Sequence, residues 1–174
     1  ANGYFRVNMM DYEAREVVEN IYINDIVMMN IPTEPLLFDL HYGGKSAVEA
    51  AEEGSSPYDI AFVPADETTP QFRDIHISNV VCSGAARAMY FNGIPEKNVE
   101  NVVVENCEIV SDKGADLRYS TGVVLRNVKI VQSEGAGYSL ANCKNVEILG
   151  CTDASGKDAA DIFQYNSHNV TVNQ

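Results

Sequence analysis

A short motif of alternating apolar and polar residues recurs along the chain at a nearly constant spacing. Its first copy reads Asn-Ile-Tyr-Ile-Asn-Asp-Ile, and five altered copies follow. The six copies occupy residues 20–26, 74–80, 101–107, 122–128, 145–151 and 169–173. Their starts are separated by 54, 27, 21, 23 and 24 residues, so the first interval contains one repeat and an insertion. Repetition with this period is typical of a solenoid, in which each repeat is one turn of a coil.

Each copy has the pattern of a β-strand, because β-branched residues such as Ile21 and Ile23 alternate with polar ones. A second extended apolar segment follows about 16 to 18 residues after each start, as at 36–38 and 89–91. One repeat cannot bury its apolar side alone, but stacked repeats can, since each strand bonds to its equivalent roughly 4.8 Å away. The sequence therefore predicts an all-β chain that forms a right-handed parallel β-helix of about six coils. Only residues 46–53 have helical character.

A residue that favours sharp turns follows each strand. Asp25, Asn79, Asn106 and Asn127 occupy one repeat position, and Gly150 takes it in the next copy. These residue types tolerate the left-handed backbone conformation, so we expect a corner at this position in every coil. Stacked Asn side chains are also predicted to bond to one another along the axis, as an internal ladder.

Composition limits the possible functions. The 174 residues carry a net charge of −13, which argues against nucleic acid and anionic membrane surfaces as partners. We predict one β-helix domain over 1–174, with an inserted loop at 43–71 that is rich in Gly, Ser, Thr and Pro. Cys107 and Cys151 share a repeat position two coils apart, too far for a disulfide. The sequence has no Cys-x-x-Cys pair or His/Cys cluster, so neither a metal nor another cofactor is predicted.

The start of the sequence contains strand signals and no amphipathic helix to cover an open coil end. We therefore expect this chain to be the C-terminal part of a longer solenoid. Its open coil end is predicted to pack against upstream coils or another copy.

Two motifs near the start resemble those of glycoside hydrolase family 28, the polygalacturonase-like pectinases. Arg6-Val7-Asn8 resembles an Arg-Ile-Lys motif, and Val18 begins a matching strand twelve residues later. Residues 40–42, Leu-His-Tyr, resemble the end of a Gln-x-Tyr strand. The resemblance implies a pectin-lyase-like solenoid, secreted or periplasmic, from an inverting enzyme that acts on pectin or a related acidic plant polysaccharide.

The catalytic motifs of that family, Asn-Thr-Asp, Asp-Asp and Gly-His-Gly, do not occur in this sequence. No catalytic residue is therefore assigned, and the chain is expected to be inactive alone. The resemblance implies that Arg6 binds a uronate carboxylate and that Tyr42 stacks on a sugar ring. Arg15 is predicted as a second cation and His41 as a residue of the cleft rim.

The remaining acidic and aromatic candidates have plainer interpretations. The acidic candidates are predicted to be solvated or corner residues; they are Asp11, Glu13, Glu16, Asp39 and Asp116, the last two at related positions. The later aromatics are predicted to be stacked wall residues rather than a carbohydrate platform; they are Tyr90, Phe91, Phe163 and Tyr165.

Two other functions stay open. One is a non-catalytic carbohydrate-binding or adhesion solenoid, which needs no acid/base pair. The other is a pectate-lyase-like enzyme, which requires a calcium-binding acidic cluster with an Arg base; no such cluster is evident in the repeats.

Overall fold

The computed structural model describes residues 17–40, 58, 60–154 and 161–173, together with the backbone of 5–7. These residues form eleven β-strands, and no helix occurs among them that is long and apolar enough to cross a membrane. The strands are β1 (Phe5–Val7), β2 (Val17–Val18), β3 (Ile21–Ile31), β4 (Leu36–Asp39), β5 (Gln71–Ala85), β6 (Arg87–Asn92), β7 (Val99–Arg118), β8 (Ser120–Ala141), β9 (Lys144–Leu149), β10 (Ile162–Tyr165) and β11 (His168–Asn173).

All strand pairs are parallel, and each coil bends around three walls. In the coil that begins at β3, wall A is 21–24, wall B is 26–31 and wall C is 36–39, and the same walls recur in later coils. One inward column of wall A shows the stacking: Ile23, Ile77, Val104, Leu125, Ile148 and Val172 are successive partners. This arrangement is a parallel β-helix, so the predicted fold class is confirmed.

The stack has about four turns rather than the predicted six. The coils that begin at β3, β5, β7 and β8 contain all three walls. In the coil that begins at β9, the described residues form one bridge in wall B, Lys129 to Thr152, and β1 and β11 are the first and last described strands of the stack. The six motif copies predicted more turns because each copy encodes wall A alone.

The corner after wall A is confirmed. Its residues have positive φ angles, 59° for Asp25, 55° for Asn79, 54° for Asn106, 51° for Asn127 and 58° for Gly150. A second set of corners, which the sequence analysis did not assign, precedes wall A. These residues also have positive φ: Asn20, Asp74, Asn101, Gly122, Asn145 and Asn169. Wall A is therefore bounded on both sides by left-handed corners.

The asparagine ladder is exposed, whereas the sequence analysis expected it inside the stack. Asn79 Nδ2 donates to Asp25 Oδ1 at 2.9 Å, and Asn127 Nδ2 donates to Asn106 Oδ1 at 3.1 Å, both at the surface. The left-handed corner turns these side chains outward. The residues that follow them, including Val80, Cys107 and Val128, fill the interior instead.

The interior is one continuous apolar column built from the inward residues of the three walls. All four cysteines are free and buried in it. Burial raises the pKa of the Cys143 thiol to about 11, so this group packs as a neutral core residue.

Residues 60–70 of the inserted loop contain no strand, and β5 begins at Gln71, which pairs with Val17 of β2 just before wall A. The predicted helical stretch at 46–53 lies outside the described residues. Two points fix the end of the insertion to the stack. The Ile60 N–H donates to the Tyr119 hydroxyl at 3.0 Å, and Lys97 Nζ donates to the Thr69 carbonyl at 2.7 Å. The insertion therefore returns along wall C before the next coil begins.

Candidate functional site

The outer face of wall C carries the chemistry of interest. Along each wall C strand the side chains alternate between the core and the outside, as expected for a β-strand. Met89, Ala115 and Tyr138 form an inward row that is fully buried. The neighbouring outward row contains Tyr90, Asp116, Ser139 and Phe163, which are register partners in successive coils.

A bulge in β8 shapes this face. Lys113 pairs with Glu134, but Ala115 pairs with Tyr138, so residues 135–137 of β8 stand opposite Gly114 alone. A side chain at Gly114 would collide with the backbone carbonyls of Ala136 and Gly137, so only glycine fits there. Gly135 adopts a φ of 68° at the start of the bulge. The bulge therefore forms a surface of small residues, Gly114 and residues 135–137, on the outer face of the wall.

An open cleft of about 400 Å³ lies on this surface. That volume is within the range of about 300–1,000 Å³ that is usual for small-molecule sites. The cleft contains groups of three kinds: aromatic rings, charged side chains and small residues. They are Tyr58, Arg87, Lys113, Gly114, Ala115, Asp116, Glu134, Gly135, Ala136, Ser139 and Phe163.

Tyr58 of the inserted loop forms one side of the cleft. Its carbonyl accepts hydrogen bonds from the Tyr119 hydroxyl at 3.0 Å and from Asn142 Nδ2 at 2.6 Å. Its ring contacts those of Phe163 and Tyr165, with centroids 5.9 and 5.3 Å away. The insertion is thus attached to two successive coils at the point where it reaches the cleft.

The acid in the middle of the wall, Asp116, is held by an arginine. Arg118 Nε donates to its Oδ1 at 3.1 Å and Nη2 donates to its Oδ2 at 2.9 Å. Burial acts to lower the pKa of Arg118, but the hydrogen bond and charge of Asp116 outweigh burial and raise it. The two parallel bonds fix both side chains.

Two further cations, Arg87 and Lys113, line the cleft and are register partners in successive coils. Arg87 forms an ion pair with Glu34 at 3.4 Å and lies 4.7 Å from the centroid of the Tyr90 ring. Burial raises the pKa of Tyr90 to about 12, so its hydroxyl is neutral at physiological pH. Lys113 is exposed and makes no ion pair within the described part of the chain. Its ammonium is the cation that a ligand meets without displacing a carboxylate.

Most of the residues predicted from the family resemblance lie outside the part of the chain that the structure describes. Arg15, His41 and Tyr42 are outside the described residues, as are the acids Asp11, Glu13 and Glu16. The backbone of Arg6 is in β1 and pairs with Leu37, which pairs with Tyr90. By register, Arg6 therefore belongs to the same row of wall C as Asp116, and its part in binding stays a prediction.

Asp39 and Asp116 belong to different rows. Asp39 pairs with Asn92, which pairs with Arg118, two positions beyond Asp116. Asn92 Nδ2 donates to Asp39 Oδ1 at 2.8 Å, so this acid accepts a side-chain bond from the next coil on wall C. The two carboxylates are thus not equivalent, because a count of residues from the repeat starts does not fix the register of wall C.

The sequence analysis missed Tyr58, Arg87, Lys113 and Glu134. Tyr58 is part of the insertion, where no periodic pattern indicates a contact. Lys113 and Glu134 lie between two walls, at the corner that the motif copies do not cover. A signal was nevertheless present: the glycines at 114, 135 and 137 mark an irregular corner beside charged residues.

Wall A carries charged groups of another kind. His76 Nε2 lies 2.9 Å from Glu105 Oε1, and Arg126 Nη1 lies 3.1 Å from Glu105 Oε2. The hydrogen bond from His76 lowers the pKa of Glu105. These are surface contacts between neighbouring coils. Among the described residues no group of three or more His, Cys, Asp or Glu side chains is placed to hold a metal.

Comparison with known families adds the class of the fold. The family model described as the right-handed β-helix region matches residues 59–174, well over half of the chain. The chain belongs to this family. The match supports a pectate-lyase-like β-helix superfamily at the level of the fold. No curated protein and no solved structure matched this β-helix protein.

Proposed function

We propose that these coils bind pectin or a related acidic plant polysaccharide on the outer face of wall C. They are the C-terminal coils of an extracytoplasmic, polygalacturonase-like glycoside hydrolase in this proposal. The observation that carries it is the cleft, which is lined by the exposed Lys113, by the aromatic residues Tyr58 and Phe163 and by a glycine-rich bulge. Arg6, in the row of Asp116, is proposed as a further contact, with Arg15, His41 and Tyr42.

The chemistry of a uronate fits these groups. Its carboxylate is bound by an ammonium or guanidinium through charged hydrogen bonds, which are about twice as strong as neutral ones. Its ring has an apolar face that packs on an aromatic side chain. The net charge of −13 opposes a polyanion at long range. Screening limits this repulsion to about 8 Å at physiological ionic strength, so the nearest cations dominate.

The described residues supply binding rather than catalysis. Inverting hydrolysis needs one protonated acid and one carboxylate base on opposite sides of the scissile bond. Both carboxylate oxygens of Asp116 accept hydrogen bonds from Arg118, so this side chain is engaged in a structural pair. Catalytic acids are therefore proposed to lie elsewhere in the enzyme.

The same observation favours a second candidate, a non-catalytic carbohydrate-binding solenoid. Such a module needs the cations and rings of the cleft and no acid/base pair. Release of reducing ends from polygalacturonate by the protein that contains these coils separates the two, because a binding module retains the polymer without cleaving it.

Replacement of Lys113 by Gln tests the site itself. We expect Lys113→Gln to weaken oligogalacturonate binding roughly tenfold in isothermal titration calorimetry, about 1.4 kcal/mol, and to reduce its dependence on salt. The matched control is Lys129→Gln, which removes the same charge from wall B, where Lys129 pairs with Glu108 at 2.9 Å. Equal affinities for Lys113→Gln and the unmodified chain would remove Lys113 and its cleft from the proposal.

A further inference from the structure

We propose that Tyr58 and Phe163 form a platform on which an uncharged pyranose ring stacks. This inference rests on the proposed function, since it places the ligand in the same cleft. It adds a second recognition element that does not depend on charge. The ligand class it specifies is a uronan in which some carboxylates are methyl-esterified, because such a chain presents charged and neutral rings together.

The aromatic residues of wall C are of two types. Phe91 and Phe38 are fully buried in the core, with centroids 5.0 Å apart. Phe163, by contrast, is 43% exposed and lines the cleft with Tyr58. The ring planes of Tyr58 and Phe163 are inclined by 38°. Phe163 is exposed and Tyr58 is half-buried, and both line the cleft, so a ligand can reach them but not the buried pair.

Tyr58 is also held in place before any ligand arrives. Its carbonyl is fixed by Tyr119 and Asn142, and the guanidinium carbon of Arg118 lies 5.2 Å from its ring centroid. Arg118 is itself fixed by Asp116. A ring that is already ordered loses little conformational entropy on binding, which favours affinity. An insertion that served only to cover the wall would need no such anchoring at the edge of an open cleft.

The aromatic platform and the Lys113 ammonium differ in how their binding depends on salt concentration. Stacking of C–H groups on an aromatic face is insensitive to salt, whereas binding of a carboxylate by Lys113 weakens as salt is added. Lys113 and Phe163 lie on different strands of the wall, β7 and β10, so a ligand that meets both spans more than one coil. Sugar rings with a methyl ester and sugar rings with a carboxylate are therefore expected to occupy different parts of the cleft.

The experiment compares two probes of the same ring stereochemistry: oligogalacturonate and its fully methyl-esterified form. Calorimetric titrations are made at low and high salt with Tyr58→Ala, Phe163→Ala and Lys113→Gln. We expect Tyr58→Ala and Phe163→Ala each to weaken binding of the ester by about two- to tenfold at both salt concentrations. Lys113→Gln should weaken binding of oligogalacturonate more than binding of its methyl ester, and mainly at low salt. Tyr22→Ala is the control, because Tyr22 is 71% exposed on wall A.

The possible results separate the two proposals. If oligogalacturonate binds and its methyl ester does not, the platform proposal is wrong and the acidic-polysaccharide site stands. The same conclusion follows if both aromatic variants bind the ester as tightly as the unmodified chain. Ester binding without acid binding supports the platform and overturns the role of Lys113. Absence of binding by both probes overturns both proposals. Phe163→Ala, at an exposed position, keeps the test decisive if Tyr58→Ala does not fold.

Discussion

At each end of wall A a single residue must turn the backbone through a left-handed conformation and still connect to the coils above and below. Asparagine does both, since its short amide tolerates positive φ and can donate and accept along the axis. Asn106 has a φ of 54° and accepts a bond from Asn127. Glycine does only the first of these, as at Gly150. The recurrence of asparagine at these corners is therefore explained mainly by its tolerance of positive φ. Its hydrogen bonds along the axis are the second reason.

Two substitutions at Asn106 separate these contributions. Asn106→Ala should lower the free energy of unfolding by about 1–2 kcal/mol, because alanine in the left-handed region is strained and cannot bond to Asn127. Asn106→Gly loses only the exposed bond and should cost less than the alanine variant. Urea denaturation followed by circular dichroism measures both. If the two variants were equally destabilised, the backbone explanation would be wrong.

At the scale of an element, wall C combines a structural face with a binding face. Its inward rows hold the stack together, and its outward row forms the cleft. Residues two positions apart on one strand share a face, and immediate neighbours do not. Substitutions on β6 and β10 should therefore affect stability or binding according to the face they occupy.

Phe91 and Phe163 provide a matched pair for this separation. Phe91→Ala removes a fully buried ring that packs on Phe38, so we expect a loss of about 3–5 kcal/mol. Phe163→Ala removes an exposed ring from the same wall and should cost less than about 1 kcal/mol. Thermal and chemical unfolding of both variants provide the comparison. A large loss for Phe163→Ala would assign this ring to the core instead of the cleft.

The elements of the fold were predictable to the extent that they repeat. The strands of wall A and the corner after it follow from period and residue type, because every coil meets the same steric problem. The bulge at 135–137 was not predicted, since two extra residues in one coil look like ordinary variation in repeat length. Tyr58 was not predicted either, because its partners Tyr119 and Asn142 are 61 and 84 residues away in sequence. The site consists of departures from the repeat, and a repeat pattern cannot reveal them.

At the scale of the whole molecule, each wall strand pairs only with strands of the adjacent coils, although the insertion also contacts later coils, so the stability of a strand depends on its position in the stack. β7 and β8 have partners on both sides, whereas β11 pairs with β9 alone among the described strands. The column of wall A illustrates the difference: Val104 and Leu125 are fully buried, but Val172 in β11 is 44% exposed.

Hydrogen exchange should follow this gradient. We expect amides in 102–110 and 123–131 to exchange most slowly, because they open only when the middle of the stack does. Amides in 168–173 should exchange much faster, through local separation of the last strand. Mass spectrometry of peptides from a time course gives the rates. Equal protection of 168–173 and 123–131 would show that the stack unfolds as one cooperative unit.

Six of the side-chain amide bonds between described coils run in one direction, whereas Asn98 Nδ2 donates the other way, to Thr121 Oγ1. In six pairs of the described residues, the amide of the later coil donates to the oxygen of the earlier one: Asn79 to Asp25, Asn92 to Asp39, Asn101 to Asp74, Asn127 to Asn106, Asn166 to Asn142 and Asn169 to Asn145. Strand dipoles in a sheet leave only a small net dipole, whereas these amide dipoles add. The surface of the solenoid therefore carries a permanent dipole parallel to the stacking axis. The side-chain carbonyl oxygens that contribute to it are directed toward the last coil. A group that joins the stack at that end is best matched if it brings a donor.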